Sequence, residues 1–416
     1  MPGLPPDPGA PLISGIGVAT GFGFGKDSLR RGLYGGENAF DRLRRPGRQC
    51  PEGSGAGAPF IGVELPEVPA LLAPRVARSA GLGAQVAVAV LDEAWREAGL
   101  AALEPERIGL IVGGANLQSR EQMLARQAYA ERLAFLPPRH GYGFFDTDLA
   151  AVCCGHFPIR GFAHTLGGAS ASGTLAVLEA VAAVKSGRVD ACIALGALQD
   201  VSMFDLQGMR ALGALGSERY AGQPGLACRP FDRDRDGFIY GESSAALVIQ
   251  RSDSVPAGQG YAAVAGGAQL VDGERGTNPS AAGQRRVLAA ALAQAGLAPE
   301  QIDYINAHAT GTPRGDDTEL ELYRQAGLAG AWINASKSLI GHGLSAAGAV
   351  ETAAVALQMR DGRLHATRNL DNPLDPALRW VRGEPREQAV RHALKLSFGF
   401  GGINTALALR VPGERG

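Results

Sequence analysis

Four short stretches hold the residues whose types and spacing could do chemistry. The first is HTLGGASASGTLAVLEA (164–180), which reads as a strand, a Gly/Ser turn and a helix, with Ser170 at the turn. Such an elbow exposes one side chain and sets backbone N–H groups and the positive end of a helix beside it. Taken alone, a serine there also reads as a helix N-cap. The second is INAHATGTPRGDDTEL (305–320), where His308 ends a strand, Thr310 and Thr312 follow on a loop, and Asp316 and Asp317 cap a helix. The third is INASKSLIGHGLSAAGAVE (333–351), with Lys337 and His342 in a Gly-rich turn before a helix of small residues. The fourth, LSFGFGGINTAL (396–407), is a turn that can present the backbone N–H of Phe400 to an anion. The chemistry on offer is a presented hydroxyl, two imidazoles and backbone donors for a negative charge.

The elements that must position these residues follow from patterning. Short apolar, β-rich runs at 12–20, 108–115, 191–197, 243–250 and 261–271 read as strands. Segments 80–98, 172–186, 284–297 and 345–360 read as helices. A strand at 302–310 runs into a loop, and 394–411 reads as two closing strands around a Gly-rich turn. This alternation predicts an α/β protein with buried sheets. The layouts of 1–255 and 260–416 are similar, which predicts an internal structural duplication with its boundary at RSDSVPAGQG (251–260). The Arg/Gly/Pro-rich segment 40–60 reads as a surface loop.

Composition narrows the class. The chain has 416 residues, 45% hydrophobic and 19% charged, which fits a globular protein with a large core. Forty Lys+Arg against 41 Asp+Glu argue against a generally basic nucleic-acid binder. The 59 glycines have no period and cluster beside apolar runs, the pattern of tight turns around a packed site. Five cysteines (Cys50, Cys153, Cys154, Cys192, Cys228) without CxxC spacing predict a reducing, cytoplasmic setting. The opening residues show no basic stretch leading into an apolar one, so no signal peptide is expected, and no apolar run is long enough to predict a membrane span.

Two tempting motifs fail on spacing. In FDRDRDGFIYGES, Asp232, Asp234, Asp236 and Gly237 match a calcium loop, but Ser243 stands where the bidentate glutamate belongs and Glu242 is one residue early. In GFGFGK (21–26), Thr20 replaces the first glycine of a phosphate loop and Asp27 replaces the Ser/Thr that would hold magnesium. No metal site is expected. Cys153 and Cys154 read as apolar packing rather than reactive thiols.

Taken together, ISGIGVATGFGFG, RPFDRDRDGFIYGES, NAHATGTPRGDD, SKSLIGHGLSAAGAVE and SFGFGGIN resemble, in order, the motifs of the β-ketoacyl synthase family, along nearly the whole chain. The resemblance implies the thiolase fold: two fused halves in a five-layered α-β-α-β-α arrangement, usually as a homodimer, with 163–170 at the dimer interface. It implies no cofactor, the substrate being carried on the phosphopantetheine arm of an acyl carrier protein. His308 and His342 match the family's histidine pair, Lys337 the lysine that orients the site, and Thr310 and Thr312 the residues that hold the arm. The backbone N–H groups of Ser170 and Phe400 match a second oxyanion hole, and Asp316 and Glu351 fall in the supporting shell. Arg75 and Arg78 fall where the family often meets its acidic carrier.

By register, GASASG sets Ser170 where the family has its nucleophilic cysteine. A thiol with a pKa of about 8.5 is readily ionised, whereas a serine needs an aligned general base. Acyl loading is therefore expected to be impaired while the decarboxylating histidines are kept. This combination, with RNLDNPLD (368–375) and GHGLSAAG, is similar to the decarboxylating ketosynthases of polyketide β-branching cassettes, which act beside an HMG-CoA-synthase-like enzyme. The expectation is conversion of malonyl-ACP to acetyl-ACP. Its alternatives are a condensing or acyl-transferring synthase using Ser170, and a non-catalytic chain-length-factor partner subunit.

Overall fold

The computed structural model describes residues 9–413; the leader expectation concerns mainly residues outside that range. One continuous sheet has twelve strands, the short Gly23–Phe24 pairing beside β1 and the other eleven forming its path: β1 (Pro11–Thr20), β2 (Ile108–Gly113), β3 (Phe162–Leu166), β4 (Ala191–Gly196), β5 (Ser244–Arg251), β6 (Ala263–Val271), β7 (Tyr304–Asn306), β8 (Trp332–Asn334), β9 (Arg379–Trp380), β10 (His392–Gly399) and β11 (Ile403–Arg410). Their order is β9-β8-β7-β10-β11-β6-β1-β5-β4-β2-β3. Counted outward from the centre, β1-β5-β4-β2-β3 and β6-β11-β10-β7-β8 share one order and one pattern of parallel and antiparallel pairs. The two halves join where β1 meets β6, at Leu12 opposite Ala263. The duplication is thus written in topology rather than in sequence identity.

Side-chain alternation builds the layers, because successive strand residues face opposite sides. Cys192 and Ala194 of β4 and Leu247 and Ile249 of β5 enter a central core; Ile193, Leu195, Ala246 and Val248 enter an outer one. In the second half Leu407 and Leu409 of β11 face the same central core, whereas Ala406 and Ala408 face a third. Helices fill each layer. Helix α1 (Leu82–Glu97) packs on the outer face of the first half, and α3 (Ala281–Ala295) and α4 (Pro313–Gln325) on that of the second. Between them lie α2 (Ser172–Lys185) and α5 (Ala347–Asp361), giving the five-layered thiolase-like arrangement. Every residue of α5 from Ala347 to Met359 is buried, as expected for a helix covered on all sides. No helix of the described residues is long and apolar enough to cross a membrane.

Several local expectations change on the structure. Helix α3 begins at Ala281, three residues before the predicted 284, because Ser280 caps it by accepting the Gly283 N–H. His308 does not end a strand: β7 stops at Asn306 and His308 lies on the loop beyond. Asp316 and Asp317 do not cap α4, whose N-cap is Thr312; Asp316 turns inward and Asp317 pairs with Arg235. Segment 40–60 is only partly a surface loop, since it carries Phe40, Leu43, Phe60 and a fully buried Arg48. Arg48 bridges Asp200 and Glu242, each at 2.7 Å, so the loop is anchored by charge. Asp232, from the calcium-like motif, is held by Arg229 and accepts the N–H groups of Asp234 and Asn372.

Helices α2 and α5 approach closely because both carry glycine at the crossing. A Cβ on Gly173 would stand 2.5 Å from the Ala349 nitrogen, and one on Gly348 2.3 Å from Thr174 Oγ1. This contact sets α2, which follows Ser170, against α5, which follows His342. Gly173→Val is therefore expected to destabilise the fold by about 1–3 kcal/mol, the usual cost of overpacking a core. A urea-denaturation midpoint equal to that of the unsubstituted protein would contradict this.

Candidate active site

Ser170 lies in a single 3₁₀ turn, Ala169–Ala171, directly ahead of α2. The turn is tight: Ala169 has φ of 48°. Its lock is Ser172, whose hydroxyl donates to the Ala169 carbonyl at 2.7 Å and accepts the Gly168 N–H at 2.8 Å. Ser172 thus ties the turn together, and the Ser170 hydroxyl makes no cap and faces a cavity. The Gly-rich turn after β10 lies against this elbow, since a Cβ on Gly399 would stand 2.4 Å from the Gly168 carbonyl oxygen.

The cavity has a volume of about 580 Å³, and Ser170, His308, Thr310, Thr312, His342 and Phe400 all line it. Residues more than 130 positions apart thus meet at one site. His342 Nε2 lies 2.9 Å from Ser170 Oγ. The His308 and His342 rings are 5.8 Å apart between centroids and nearly perpendicular, at 83°. Phe398 and Phe238 pack edge-on against His308 and His342 respectively. Thr310 and Thr312 hydroxyls are hydrogen-bonded at 2.9 Å on the cavity wall.

Proton positions on the imidazoles follow from their other contacts. The Leu344 N–H donates to His342 Nδ1 at 3.3 Å, so the ring proton sits on Nε2 and points at Ser170. The Lys337 ammonium lies 3.5 Å from His308 Nδ1, which places the His308 proton on Nε2 as well. Both rings are held well below the usual imidazole range. Burial is the main cause and the charges of Lys337 and Lys395 add to it; His308 also feels His342. At neutral pH the cavity therefore presents two neutral imidazoles, each with an N–H to give.

Behind the rings, Lys337 donates to the His308 carbonyl and pairs with Glu351 at 2.5 Å. Glu351 lies on α5 and meets a second buried ammonium, Lys395, at 2.7 Å. Asp316 accepts the N–H groups of Phe231 and Gly311, and burial pushes its carboxyl up to about 7. Lys337, Glu351 and Asp316 support the cavity without lining it. Arg75 and Arg78, on the exposed turn around Pro74–Ala77, do not line it either.

Two site residues escaped the sequence. Glu319 accepts the N–H groups of both His308 and Ala309 at 2.7 Å and the Tyr323 hydroxyl at 2.6 Å, fixing the His308 loop where Ala309 takes φ of 40°. The signal for it was Glu319 and Tyr323 at i,i+4 on the buried face of α4, an odd place for a carboxylate. Lys395 had a comparable signal, a lone charge inside an apolar strand.

Comparison with known proteins places the chain in a family. The family "Beta-ketoacyl synthase, N-terminal domain" matches residues 12–255, and "Beta-ketoacyl synthase, C-terminal domain" matches 261–371. The chain belongs to the β-ketoacyl synthase family. It is 45% identical, over 96% of both chains, to a polyketide biosynthesis malonyl-ACP decarboxylase, PksF, of Bacillus subtilis. Its fold matches the crystal structure of a β-ketoacyl synthase from Burkholderia phymatum with a TM-score of 0.87 at 28% identity, covering 97% of this chain and 99% of that one. The ishigamide ketosynthase/chain length factor matches with a TM-score of 0.85 at 26% identity, covering 97% and 99%.

Glu319→Ala is expected to cost about 2–4 kcal/mol, because it strands two buried N–H groups that the strained loop cannot re-pair. Chemical denaturation measures this; a loss under about 0.5 kcal/mol, the range of a neutral surface change, would show that Glu319 does not hold the loop.

Proposed function

We propose that this protein decarboxylates malonyl thioester on an acyl carrier protein, giving acetyl-ACP, and that it does not condense. The observation that carries this reading is the Leu344 N–H donating to His342 Nδ1, which sets the direction of the Ser170–His342 hydrogen bond. A general base for serine must offer an unprotonated nitrogen to the hydroxyl and give its other N–H to a carboxylate. At His342 the order is reversed: Nδ1 takes the Leu344 N–H and Nε2 carries the proton toward Ser170. Ser170 is therefore positioned without being activated. Its register opposite the family's cysteine, the assignment of the serine elbow to residues 1–255 and of the histidine pair to 260–416, and the roles below belong to this proposal.

In the reaction, the bond between the malonyl α-carbon and its carboxylate breaks and CO2 leaves. The electron pair moves onto the thioester carbonyl, forming an enolate whose oxygen carries the charge. That oxygen takes the place of Ser170 Oγ as acceptor from His342 Nε2–H and also accepts from His308 Nε2–H. Each such donor contributes about 3–4 kcal/mol to the barrier reduction. With no acyl group waiting on residue 170, the α-carbon takes a proton from water and acetyl thioester results. Thr310 and Thr312 hold the pantetheine arm, Lys337, Glu351 and Asp316 support the pair, and the N–H groups of Ser170 and Phe400 form a second donor site. No cofactor is needed beyond the carrier arm.

The carrier named for the Bacillus relative supports an acyl carrier protein as partner, which Arg75 and Arg78 would meet. The reading extends to a cytoplasmic homodimer working beside an HMG-CoA-synthase-like enzyme. Support for the dimer comes from β3, an edge strand paired on one side only, with Ala163 and His164 exposed.

Incubation of purified protein with malonyl-ACP, followed by mass spectrometry of the carrier arm, is expected to show loss of one CO2. Unchanged malonyl-ACP, or a β-ketoacyl product or acyl-Ser170 adduct, would overturn the proposal. His308→Ala and His342→Ala are each expected to slow CO2 release by about 10²–10³. Ser170→Ala is expected to keep most of it, and abolished turnover there would give the hydroxyl a chemical role.

A further inference from the structure

The mechanism above leaves the buried charge of Lys395 unused. Lys395 lies on β10, fully buried, with its ammonium 2.7 Å from Glu351 Oε2 and 2.7 Å from Ser397 Oγ. It also donates to the Leu396 carbonyl. Ser397 Oγ is hydrogen-bonded to Thr174 Oγ1 on α2 at 2.8 Å, so the ammonium is tied into the central layer. Glu351 gives its other oxygen to Lys337. Two buried ammonium groups thus share one buried carboxylate, an arrangement that structure alone does not require. A single buried lysine–glutamate pair is already neutral, and adding a second cation costs desolvation energy.

We propose that Lys395 is a positioning residue that sets the charge of the site: with Lys337 it outnumbers Glu351, leaving one net positive charge behind the two imidazoles. This balance is that of the Lys337–Glu351–Lys395 cluster, whose members are joined by direct ion pairs. Lys337 touches His308 directly, and the Lys395 ammonium bears on both rings through its charge. Glu319 and Asp316 lie on α4 behind the His308 loop and are taken up by backbone N–H groups, Glu319 by the Tyr323 hydroxyl too. Ser336 lies between His308's neighbour Asn306 and the buried, neutral His365. The charges that bear on both rings are those of the two lysines. Their excess disfavours a proton on either imidazole and favours negative charge on an oxygen between the Nε2–H donors.

The inference rests on the decarboxylase reading, and charge arithmetic tests it. Lys395→Met takes the cluster from +1 to 0, Glu351→Gln takes it to +2, and the double variant restores +1 with fewer contacts than any other. On malonyl-ACP, Lys395→Met is expected to lower kcat about tenfold with KM nearly unchanged, and to move the acid limb of the pH–rate profile upward. Glu351→Gln is expected to move that limb downward, which keeps the test open should Lys395→Met fail to fold. The double variant is expected to return the limb toward its original pH. A purely structural lysine predicts the opposite: unmoved pH limbs and additive losses in the double variant, and either result would overturn the proposal. NMR titration of the histidine rings in the same proteins needs no substrate. A Lys395→Met protein whose rings titrate no higher than before would overturn the charge role by itself. An unsubstituted protein that leaves malonyl-ACP intact would remove the decarboxylase reading while the ring titration still decides the role of Lys395.

Discussion

The Leu344 N–H, on the cavity wall, sets the state of His342 through one hydrogen bond. By donating to His342 Nδ1 it fixes the proton on Nε2, and that proton decides what the cavity can do. Leu344 holds φ of 51° at the start of a short turn after His342, a conformation that costs energy and needs surrounding packing to persist. The packing is supplied by the crossing of α2 and α5 and by backbone pairing of His342 with the strand pair at Tyr240, where His342 N–H donates to the Ile239 carbonyl at 2.7 Å. The five layers converge on keeping one ring in one tautomer.

Burial and charge act here in the same direction. Removing water from the two imidazoles disfavours their protonated forms, and the ammonium groups behind them disfavour protonation further. In the desolvated cavity each N–H donor is also worth more to a developing oxyanion than it would be in water. The cost of this arrangement falls on the lysines, whose burial is tolerated because Glu351 pairs with both ammonium groups and backbone carbonyls accept hydrogen bonds from them. Burial holds the Lys395 ammonium below the usual lysine range, yet its ion pair with Glu351 works against that.

Much of the frame was legible because strands β1, β2, β4, β5 and β6 are short apolar runs bounded by turn residues, and their buried helices are rich in small residues. The pairing of His308 with His342 and Ser170 was legible only through ordered motifs, since no spacing rule connects positions so far apart in sequence. What escaped was inward-facing charge. Glu319, Lys395 and Arg48 are read as solvent-facing by default, and only tertiary contact reveals that each is spent on a specific partner. Asp316 was placed at a helix cap because acidic residues favour a first helical turn; Pro313 starts the helix three residues earlier and rotates Asp316 to the buried face. Arg75 and Arg78 were legible as exposed charge but not as part of the cavity.

The same field explains why a hydroxyl and a thiol would behave differently at position 170. Nearby cations and N–H donors lower the pKa of a thiol, against the opposing effect of burial, so a sulfur within their reach tends toward thiolate and accepts an acyl group. A hydroxyl starts many units higher and stays neutral in that field unless a base removes its proton. His342, already protonated at Nε2, is not that base. On the proposed function, a cavity that steadies an enolate leaves an alcohol inert without any change to its histidines or lysines, so that loss of condensation and retention of decarboxylation would follow from one electrostatic arrangement rather than two.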